Sequence, residues 1–551
     1  MTGTIRSLRV FIGLLWSRRR KYSHVLVSLS GALAILSCAA CTREPRIKTP
    51  EAITVGFLAD AKRLIPLLAS DSASGEISGW IYNGLTKYDK DIKITGDLAE
   101  SWEISSDGLE ITFHLRRGVM WHDGVELTAD DVVFTYETVI NPRIPTPYSS
   151  TFGPVKTVEA LDKYTVRVTY HEPFAPALES WGMGIIPKHI LEDKDLTNEY
   201  YSRNPIGTGP YKLREWTTGQ KIVLERNGAY FEGVPGIERF IARIIPDTAT
   251  MFLELKFGGI DFMGLTPPQY KLQAGKELFN KYFQKFRYPS FGYTYLGYNL
   301  LDPRFRDRRV RRAISHAINK QDIIAGVLLG YGTPCTGPFP PESWAYNPDV
   351  KDPVYDPDLA VKLLGKAGWT RGPSGRLEKD GIPFEFTVIT NQGNEARLKA
   401  AQIIREHLRK IGITMRIKVL EWQAMLHEFI DKKRFEAVIM GWGLSRDPDM
   451  YDIWHSSKTK EGEFNFISYK NEEVDRLLLE GRRTFDLEKR RGIYHRIHEL
   501  LADDQPYTFL YVPDALPVIH KRFKGVEKAP IGIWHNFIRW TVPKNRMEWY
   551  N

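Results

Sequence analysis

A tryptophan, a glycine and several carboxylates follow a short apolar run within Phe435–His455. The apolar run, Ala437–Gly441, predicts a buried strand, and Trp442 and Gly443 lie where the chain is expected to leave the sheet. Open α/β sheets bind ligands just beyond the carboxyl ends of their strands. An indole ring beside accessible backbone would form a flat apolar wall for such a ligand. The alternative interpretation is a strand followed by a surface loop with packed tryptophans.

The sequence lacks the motifs of the common catalytic and nucleotide-binding sites: G-x-x-x-x-G-K-[ST], H-E-x-x-H and G-x-S-x-G. His495 and His498 are three residues apart on a predicted helix, but no cysteine and no matching ligand cluster lies nearby, so solvent-facing histidines are expected. His114 and His122 have no evident acidic or nucleophilic partner. The sequence therefore predicts a protein that is not an enzyme and uses no cofactor or metal, with a secreted hydrolase as the remote alternative.

The length and composition indicate a large globular protein. With 551 residues the chain exceeds a single ordinary core and should form two or more lobes. Hydrophobic residues make up 42% and charged residues 26%, which excludes a mainly disordered or membrane-embedded chain. Six of the nine net positive charges fall within residues 6–21. The rest of the chain carries no dense basic stripe, so no nucleic-acid partner is expected.

Residues 1–41 are predicted to be a signal peptide with a lipobox. Arg18–Lys21 is basic, and Val25–Leu36 is apolar but short for a membrane span. The region around Cys38 and Cys41 resembles a bacterial lipobox; Cys41 follows two small residues, whereas Cys38 has the better apolar residue three positions earlier. Lipidation is predicted at Cys41 or Cys38, and an ordinary signal peptide is the alternative. Residues 42–50 are predicted to form a tether. The signal peptide and the lipid are expected to place the mature protein in the periplasmic space or cell envelope, anchored to a membrane.

Hydrophobic periodicity predicts the elements that position the candidate residues. Near the N-terminus, Ile53–Leu58 is a predicted strand and Ser74–Leu85 a predicted helix. Leu98–Glu137 begins with a predicted hairpin, and Thr128 is placed to cap the helix that follows, together with Asp131. The C-terminal half is predicted to contain, in order, a helix that begins at Asp356–Pro357, a helix at Glu395–Ile411, a strand at Thr414–Leu420, two helices capped by Asn471 and Asp486, and a strand at Tyr507–Val512.

Leu98–Glu137 closely resembles the corresponding stretch of the bacterial family 5 extracellular solute-binding proteins, the peptide-binding subunits of ABC importers. Later segments match the family in the same order: Asn204–Tyr211, Arg226–Phe231, Tyr295–Asn299, Phe305–Ser315 and Tyr355–Trp369. The resemblance covers about residues 50 to 540. It implies an α/β, two-lobed periplasmic-binding-protein-like fold (class II, large cluster with an extra subdomain), with mixed sheets, flanking helices and a ligand cleft between the lobes.

The resemblance also implies domain boundaries. Lobe I is expected to comprise residues 51–296 and to include the extra subdomain at about 76–205. Lobe II is expected to comprise residues 297–511, and residues 512–551 return to lobe I. The chain should therefore cross between the lobes near Tyr295–Asn299 and near Leu510–Pro513.

Particular ligand contacts follow from the same resemblance. Dipeptide-binding members hold the ligand's amino group with an aspartate three residues after the tryptophan, and its carboxylate with an arginine before the helix that matches Glu395–Ile411. Ser445 and Asn391 occupy these positions here, so both charged anchors are missing and Asp447 is the nearest carboxylate. A peptide of about four residues or more is expected to bind better than a dipeptide, with weak dependence on its end charges. The predicted ligand-binding residues are Trp442, Gly443, Ser445, Asp447, Asn391 and Trp454.

The expected function is that of a substrate-binding lipoprotein that captures peptides outside the inner membrane and delivers them to the permease subunits of an ABC importer. Because the chain has no ATPase motif, the ATPase must be a separate subunit. The protein is expected to be a monomer that contacts the membrane through its lipid anchor. The same fold could instead bind a metal chelate, haem or an oligosaccharide, and this alternative stays open.

Overall fold

The computed structural model of the protein describes residues 51–543. The predicted signal peptide, Cys38, Cys41 and the tether lie outside the described residues. Within residues 51–543, no helix combines the length and the apolar character needed to cross a membrane.

Short strands form two large sheets and several small ones. Numbered along the chain, they are β1 (Ala52–Phe57), β2 (Thr86–Tyr88), β3 (Ile94–Gly96), β4 (Ala99–Ile104), β5 (Glu110–Leu115), β6 (Val155–Asp162), β7 (Thr165–Tyr170), β8 (Tyr211–Thr217), β9 (Lys221–Arg226), β10 (Arg239–Ile244), β11 (Phe262–Gly264), β12 (Phe283–Lys285), β13 (Tyr288–Pro289), β14 (Gly292–Tyr298), β15 (Gly332–Pro334), β16 (Thr370–Arg371), β17 (Leu377–Lys379), β18 (Ile382–Pro383), β19 (Glu385–Asn391), β20 (Thr414–Leu420), β21 (Ala437–Gly443), β22 (Tyr507–Ala515) and β23 (Pro517–His520).

The α-helices flank these sheets. They are α1 (Ser72–Ile81), α2 (Ala129–Ile140), α3 (Ala177–Ser180), α4 (Lys188–Leu191), α5 (Glu199–Arg203), α6 (Thr248–Lys256), α7 (Glu277–Tyr282), α8 (Pro303–Arg306), α9 (Arg308–Ala317), α10 (Lys320–Leu328), α11 (Pro357–Lys366), α12 (Glu395–Lys410), α13 (Trp422–Ala424), α14 (Tyr451–Trp454), α15 (Glu472–Arg483) and α16 (Leu487–Asp504).

Lobe I is built on a mixed sheet with the strand order β12-β23-β11-β1-β10-β9-β8. β1 runs parallel to β10 and β11, and five of its six residues are buried, as its continuous apolar sequence predicts. A second, antiparallel sheet, β4-β5-β7-β6, follows the predicted hairpin. Its buried residues Ile111 and Phe113 belong to the same hydrophobic core as Ile53 of the main sheet. The extra subdomain therefore shares one core with the rest of lobe I.

Lobe II is built on a sheet with the order β13-β22-β14-β21-β19-β20, with β15 also paired to β22. Every residue of β14 is buried, and separate hydrophobic clusters cover the two faces of this sheet. Helix α12 connects the parallel strands β19 and β20 as a crossover. The structure thus confirms an α/β fold with mixed sheets and flanking helices.

The chain passes from one sheet to the other at two places. It leaves the lobe I sheet after β12 and enters the lobe II sheet at β13, and it returns between β22 and β23. The predicted boundaries at 296/297 and 511/512 lie inside β14 and β22, because the motifs used to place them mark the strands that enter and leave lobe II.

Helix caps and strand bounds agree closely with the sequence predictions. The N–H of Thr128 donates to Asp131 at 2.9 Å in a capping box, and Asp356 accepts from the N–H of Leu359 at 2.8 Å. Asn471 and Asp486 cap α15 and α16 as expected. β21 differs, because it continues through Trp442 and Gly443, which pair with Tyr293 and Gly292 of the fully buried β14. The predicted exit from the sheet at Trp442 is therefore wrong.

Candidate functional site

A cavity of about 830 Å³ lies between the two lobes. Lobe I supplies most of its wall, and lobe II closes one side with Ser445, Asp449, Asp452 and Arg482. Its volume lies in the upper part of the range of small-ligand sites, about 300–1,000 Å³. This cavity is the candidate functional site.

Among the aromatic side chains of lobe I that line the cavity, three pack against one another: Trp80, Trp534 and Phe537, called here the lobe I aromatic wall. Trp80 lies at the end of α1, off the helical stripe of Ile77 and Ile81 that is buried in the core. Its ring centroid is 4.9 Å from that of Phe537, and Trp534 is 5.1 Å from Phe537. The wall offers a large apolar surface on which a ligand can pack.

The loop that follows β21 is held by a buried ion pair. Asp447 accepts two hydrogen bonds from the Arg490 guanidinium, at 2.5 and 2.8 Å, and Arg490 also donates from Nε to the carbonyl oxygen of Gly481. Both charged side chains are almost completely buried. Removing one partner would leave the other charge buried and uncompensated, so the pair pins this loop to α15 and α16.

The next two carboxylates of the loop also have cationic partners. Asp449 accepts from Nε of Arg482 at 2.8 and 3.0 Å, and the same guanidinium lies 4.0 Å from the ring centroid of Tyr451. Asp452 forms an ion pair with Lys458 at 3.0 Å. The charges of the lobe II wall are therefore balanced in pairs.

Glu179, on α3 of lobe I, reaches across to the lobe II loop. Its two carboxylate oxygens accept the backbone N–H groups of Arg446 at 3.2 Å and Asp447 at 3.0 Å. Burial is the largest cause that raises the pKa of Glu179, and the nearby Asp447 carboxylate is the second; together they raise it to about 7. The two amides and the Tyr88 hydroxyl, which donate hydrogen bonds to Glu179, act in the opposite direction. Glu179 therefore changes its charge in the neutral pH range.

A second charged group of lobe I lies on the cavity wall. Lys87 pairs with Asp97 at 3.3 Å and with Glu232, so two carboxylates share one ammonium group. Asn83 donates from its amide nitrogen to Asp97 at 2.9 Å. Burial raises the pKa of Asp97, and the charge of Lys87 opposes that rise.

Further contacts join the lobes beside the cavity. Nε of Arg483 donates to Glu172 at 2.9 Å, and the N–H of Ala175 donates to the carbonyl oxygen of Arg482 at 2.6 Å. Together with Glu179, these contacts connect residues 172–179 of lobe I to the loop after β21 and the end of α15. The lobes touch each other in this conformation.

His495 and His498 belong to no metal-binding group among the described residues. In residues 51–543, no three His, Cys, Asp or Glu side chains are grouped so as to hold a metal ion. The expectation that His498 faces solvent is wrong: it is fully buried, Nδ1 accepts the N–H of Asn347 at 3.1 Å, and Nε2 lies 3.1 Å from the Thr336 hydroxyl. Burial lowers its pKa to about 4. His498 packs inside lobe II as a neutral polar residue.

A model of the family described as "Bacterial extracellular solute-binding proteins, family 5 Middle" matches residues 93–464. The chain is a member of this family. Oligopeptide-binding protein AppA of Bacillus subtilis (strain 168) is 34% identical to this family 5 protein over 550 residues, which is 96% of this chain and 100% of AppA.

Solved structures of similar proteins cover most of the chain. AppA from Bacillus subtilis in complex with a nonapeptide has a TM-score of 0.76 and covers 90% of this chain and 99% of its own. NikZ from Campylobacter jejuni in complex with Ni(L-His) is 29% identical, with a TM-score of 0.78 and coverages of 90% and 100%. DppA from Helicobacter pylori in complex with peptide STSA is also 29% identical, with a TM-score of 0.75 and coverages of 90% and 98%.

Three of the six predicted ligand-binding residues lie in or beside the cavity of this family 5 protein. Ser445 is on the wall of the main cavity. Gly443 and Asp447 line a smaller cavity of about 100 Å³ that shares Ser445 and Asp449 with the main one. The Asp447 carboxylate is already bound by Arg490, so in this conformation it orders the loop.

The other three predicted residues lie elsewhere in lobe II. Trp442 is half-buried against Phe464, with ring centroids 5.6 Å apart, and it does not line the main cavity. Asn391 ends β19 and accepts a hydrogen bond from Arg397 at 2.8 Å. Trp454 has no exposed surface and packs on Tyr507 in the core, because α14 turns its indole toward the sheet. Trp454 is therefore part of the lobe II core.

The sequence interpretation missed the lobe I aromatic wall and Glu179. A signal was present for Trp80, because a large apolar residue outside the buried stripe of an amphipathic helix needs another partner. Glu179 stands between Leu178 and Ser180 near the end of a mainly apolar stretch, but nothing local shows that it meets the loop after β21.

Proposed function

We propose that this family 5 protein captures a peptide in the cavity between its lobes and delivers it to an ABC importer. The observation that carries this proposal is the 830 Å³ interlobe cavity, with an aromatic wall on one lobe and a polar, hydrogen-bonding loop on the other. Such a site can hold apolar side chains and peptide backbone at the same time. The complexes of AppA with a nonapeptide and of DppA with peptide STSA support a peptide as the ligand class.

The proposed ligand is a peptide of about four residues or more, because each additional backbone hydrogen bond adds about 0.5–1.5 kcal/mol to binding. Neither Ser445 nor Asn391 supplies the charge that a dipeptide needs. Calorimetric titration with an alanine series from two to eight residues tests this. Affinity should rise with length up to the longest peptide that the cavity accommodates.

The titration should include a nickel–histidine chelate and an oligosaccharide as competing ligand classes. If a chelate or a sugar binds and no peptide does, the peptide proposal is wrong. If the dipeptide binds more tightly than every longer peptide, the length argument is wrong although the ligand class is right.

We also propose that the protein is exported and lipid-anchored, and that it acts by binding alone, with the ATPase and permease as separate subunits. Cys41 or Cys38 would carry the lipid. Mass spectrometry of the protein from its native membranes tests the anchor: a lipid-modified N-terminal cysteine is expected. An unmodified N-terminus downstream of Cys41 would contradict it.

A further inference from the structure

We infer that Glu179 receives a positively charged amino group of the bound ligand, so that the cavity selects peptides with a free N-terminal amine. This inference rests on the proposed function and deepens it. The carboxylate that binds the amine would lie in lobe I, whereas the sequence placed the candidate carboxylate in lobe II. The inference also replaces the sequence-based expectation of weak dependence on the end charges for the amino end of the peptide.

The first argument is the charge balance of the cavity wall. On the lobe II side, Asp449 is paired with Arg482 and Asp452 with Lys458. On the lobe I side, Lys87 is shared by Asp97 and Glu232. Among the described residues, Glu179 is the lining carboxylate that forms no ion pair with a lysine, arginine or histidine. An ammonium group from the ligand would supply the missing charge.

The second argument is geometric. The N–H groups of Arg446 and Asp447 fix the position of the Glu179 carboxylate, and Glu179 and Ser445 line the same cavity. An ionised carboxylate has about four acceptor sites; the two amides occupy one on each oxygen, and the Tyr88 hydroxyl takes a third. The carboxylate is therefore held in place and retains capacity for a further donor. A charge-assisted bond to such a preoriented acceptor is stronger than a neutral hydrogen bond.

The third argument concerns the groups that face Glu179. Asp447 and Arg446 approach it from the loop of lobe II, and the Tyr88 hydroxyl from β2. Arg490 is occupied by Asp447, and the Arg446 guanidinium lies over the ring of Phe291, 4.0 Å from its centroid. Neither arginine neutralises Glu179 by direct contact. With a pKa of about 7, Glu179 is partly protonated at neutral pH without ligand, and binding an ammonium group should drive the proton off.

The test compares two ligands and two variants. The ligands are the alanine peptide that binds most tightly in the length series and its propionyl analogue, in which the first residue lacks only the amino group. The variants are Glu179→Gln and the matched control Glu172→Gln. Glu172 also joins the lobes, through Arg483, but it does not line the cavity.

In the wild-type protein, the free-amine peptide should bind about tenfold or more tightly than the propionyl analogue, as expected for a hydrogen bond between charged groups. Glu179→Gln should reduce this ratio to about twofold or less while the analogue still binds. Glu172→Gln should keep the wild-type ratio. If Glu179→Gln weakens both ligands equally, Glu179 merely joins the lobes and the inference is wrong.

Peptide affinity measured at a series of pH values distinguishes an amine-binding role of Glu179 from a structural role. Between pH 5.5 and 7 the peptide amine stays protonated, because its ordinary pKa is about 7.7–8.0. The affinity of the free-amine peptide should rise with pH over this range, by up to about tenfold per unit, as Glu179 loses its proton. Glu179→Gln should abolish that rise, and a rise that survives in this variant would contradict the inference. If no alanine peptide binds, the proposed function fails and the inference fails with it; if both ligands bind equally to the wild-type protein, the inference alone fails.

Discussion

Both lobes contain a cluster of large aromatic side chains, and it is the cluster of lobe I that lines the cavity. In lobe II, Tyr295 stacks on Tyr507 with ring centroids 3.9 Å apart, and Trp454 packs on Tyr507 at 4.7 Å; all three are fully buried. In lobe I, Trp80 and Trp534 are half-buried, and each has a face toward the cavity.

The comparison shows that aromatic density in the sequence does not distinguish a core from a binding wall. In the lobe II cluster, Tyr295 and Tyr507 lie on neighbouring strands in the centre of a sheet whose two faces are both covered, and Trp454 packs on Tyr507 from α14. The lobe I aromatic wall lies at the end of α1 and in the segment Trp534–Arg539, outside the strands of the sheet. Trp80 and Trp534 are half-buried at these positions and stay accessible to a ligand, whereas Phe537 is buried.

Trp454→Ala should produce the largest effect, on stability. Removing a fully buried indole from the lobe II cluster should lower the free energy of unfolding by about 3–5 kcal/mol. Urea denaturation measures this, and Trp422→Ala, at an exposed tryptophan of the same lobe, is the control with an expected loss below about 1 kcal/mol. A loss as small as that of the control would show that Trp454 is not part of the core.

Acidification should destabilise both lobes through one buried histidine in each. Burial lowers the pKa of His122 in lobe I and of His498 in lobe II to about 4. In the unfolded chain these groups take up a proton near pH 6.5, so their contribution to stability is complete above that pH and is lost as the pH falls toward 4. Each should remove up to about 3 kcal/mol at pH 4.

The variant His498→Gln isolates the lobe II contribution, because glutamine keeps hydrogen-bonding groups and does not titrate. Denaturation at a series of pH values should give a shallower decline between pH 6.5 and 4 for this variant than for the wild-type protein. Parallel declines would mean that His498 is protonated in the folded state.

Trp80→Ala should weaken ligand binding more than it weakens the fold. Truncating a ring of the lobe I aromatic wall should reduce peptide affinity by about 2 kcal/mol, roughly thirtyfold. Calorimetry on folded protein measures this, again with Trp422→Ala as the control. Unchanged affinity would show that the lobe I aromatic wall is not part of the binding site.

Trp442→Ala should have the smallest effect on affinity, below about 1 kcal/mol, because Trp442 packs on Phe464 and Tyr295 and does not line the main cavity. The same calorimetric series ranks the two tryptophans. If Trp442→Ala weakens binding more than Trp80→Ala does, the sequence-based assignment of the ligand wall to lobe II was right after all.

The local sequence was sufficient to predict many helices and strands of this protein. The cap at Asp356, the helix that begins at Glu395 and the strand Thr414–Leu420 depend on interactions within a few residues, and the structure confirms each of them. The family and its α/β fold also follow from ordered motifs that the comparisons confirm. For the candidate site, Ser445, one of the predicted ligand-binding residues, lines the interlobe cavity, and its contact with a ligand stays a prediction.

The contacts that define the site could be identified only in the folded chain. Glu179 and Asp447 are separated by 268 residues, and Arg490 reaches Asp447 from a different helix. Whether a carboxylate meets an arginine, an amide or a ligand depends on how the two lobes pack against each other. Likewise, Trp454 and Trp80 are equally apolar in the sequence, but burial by neighbouring strands places one in a core and the other on the cavity wall.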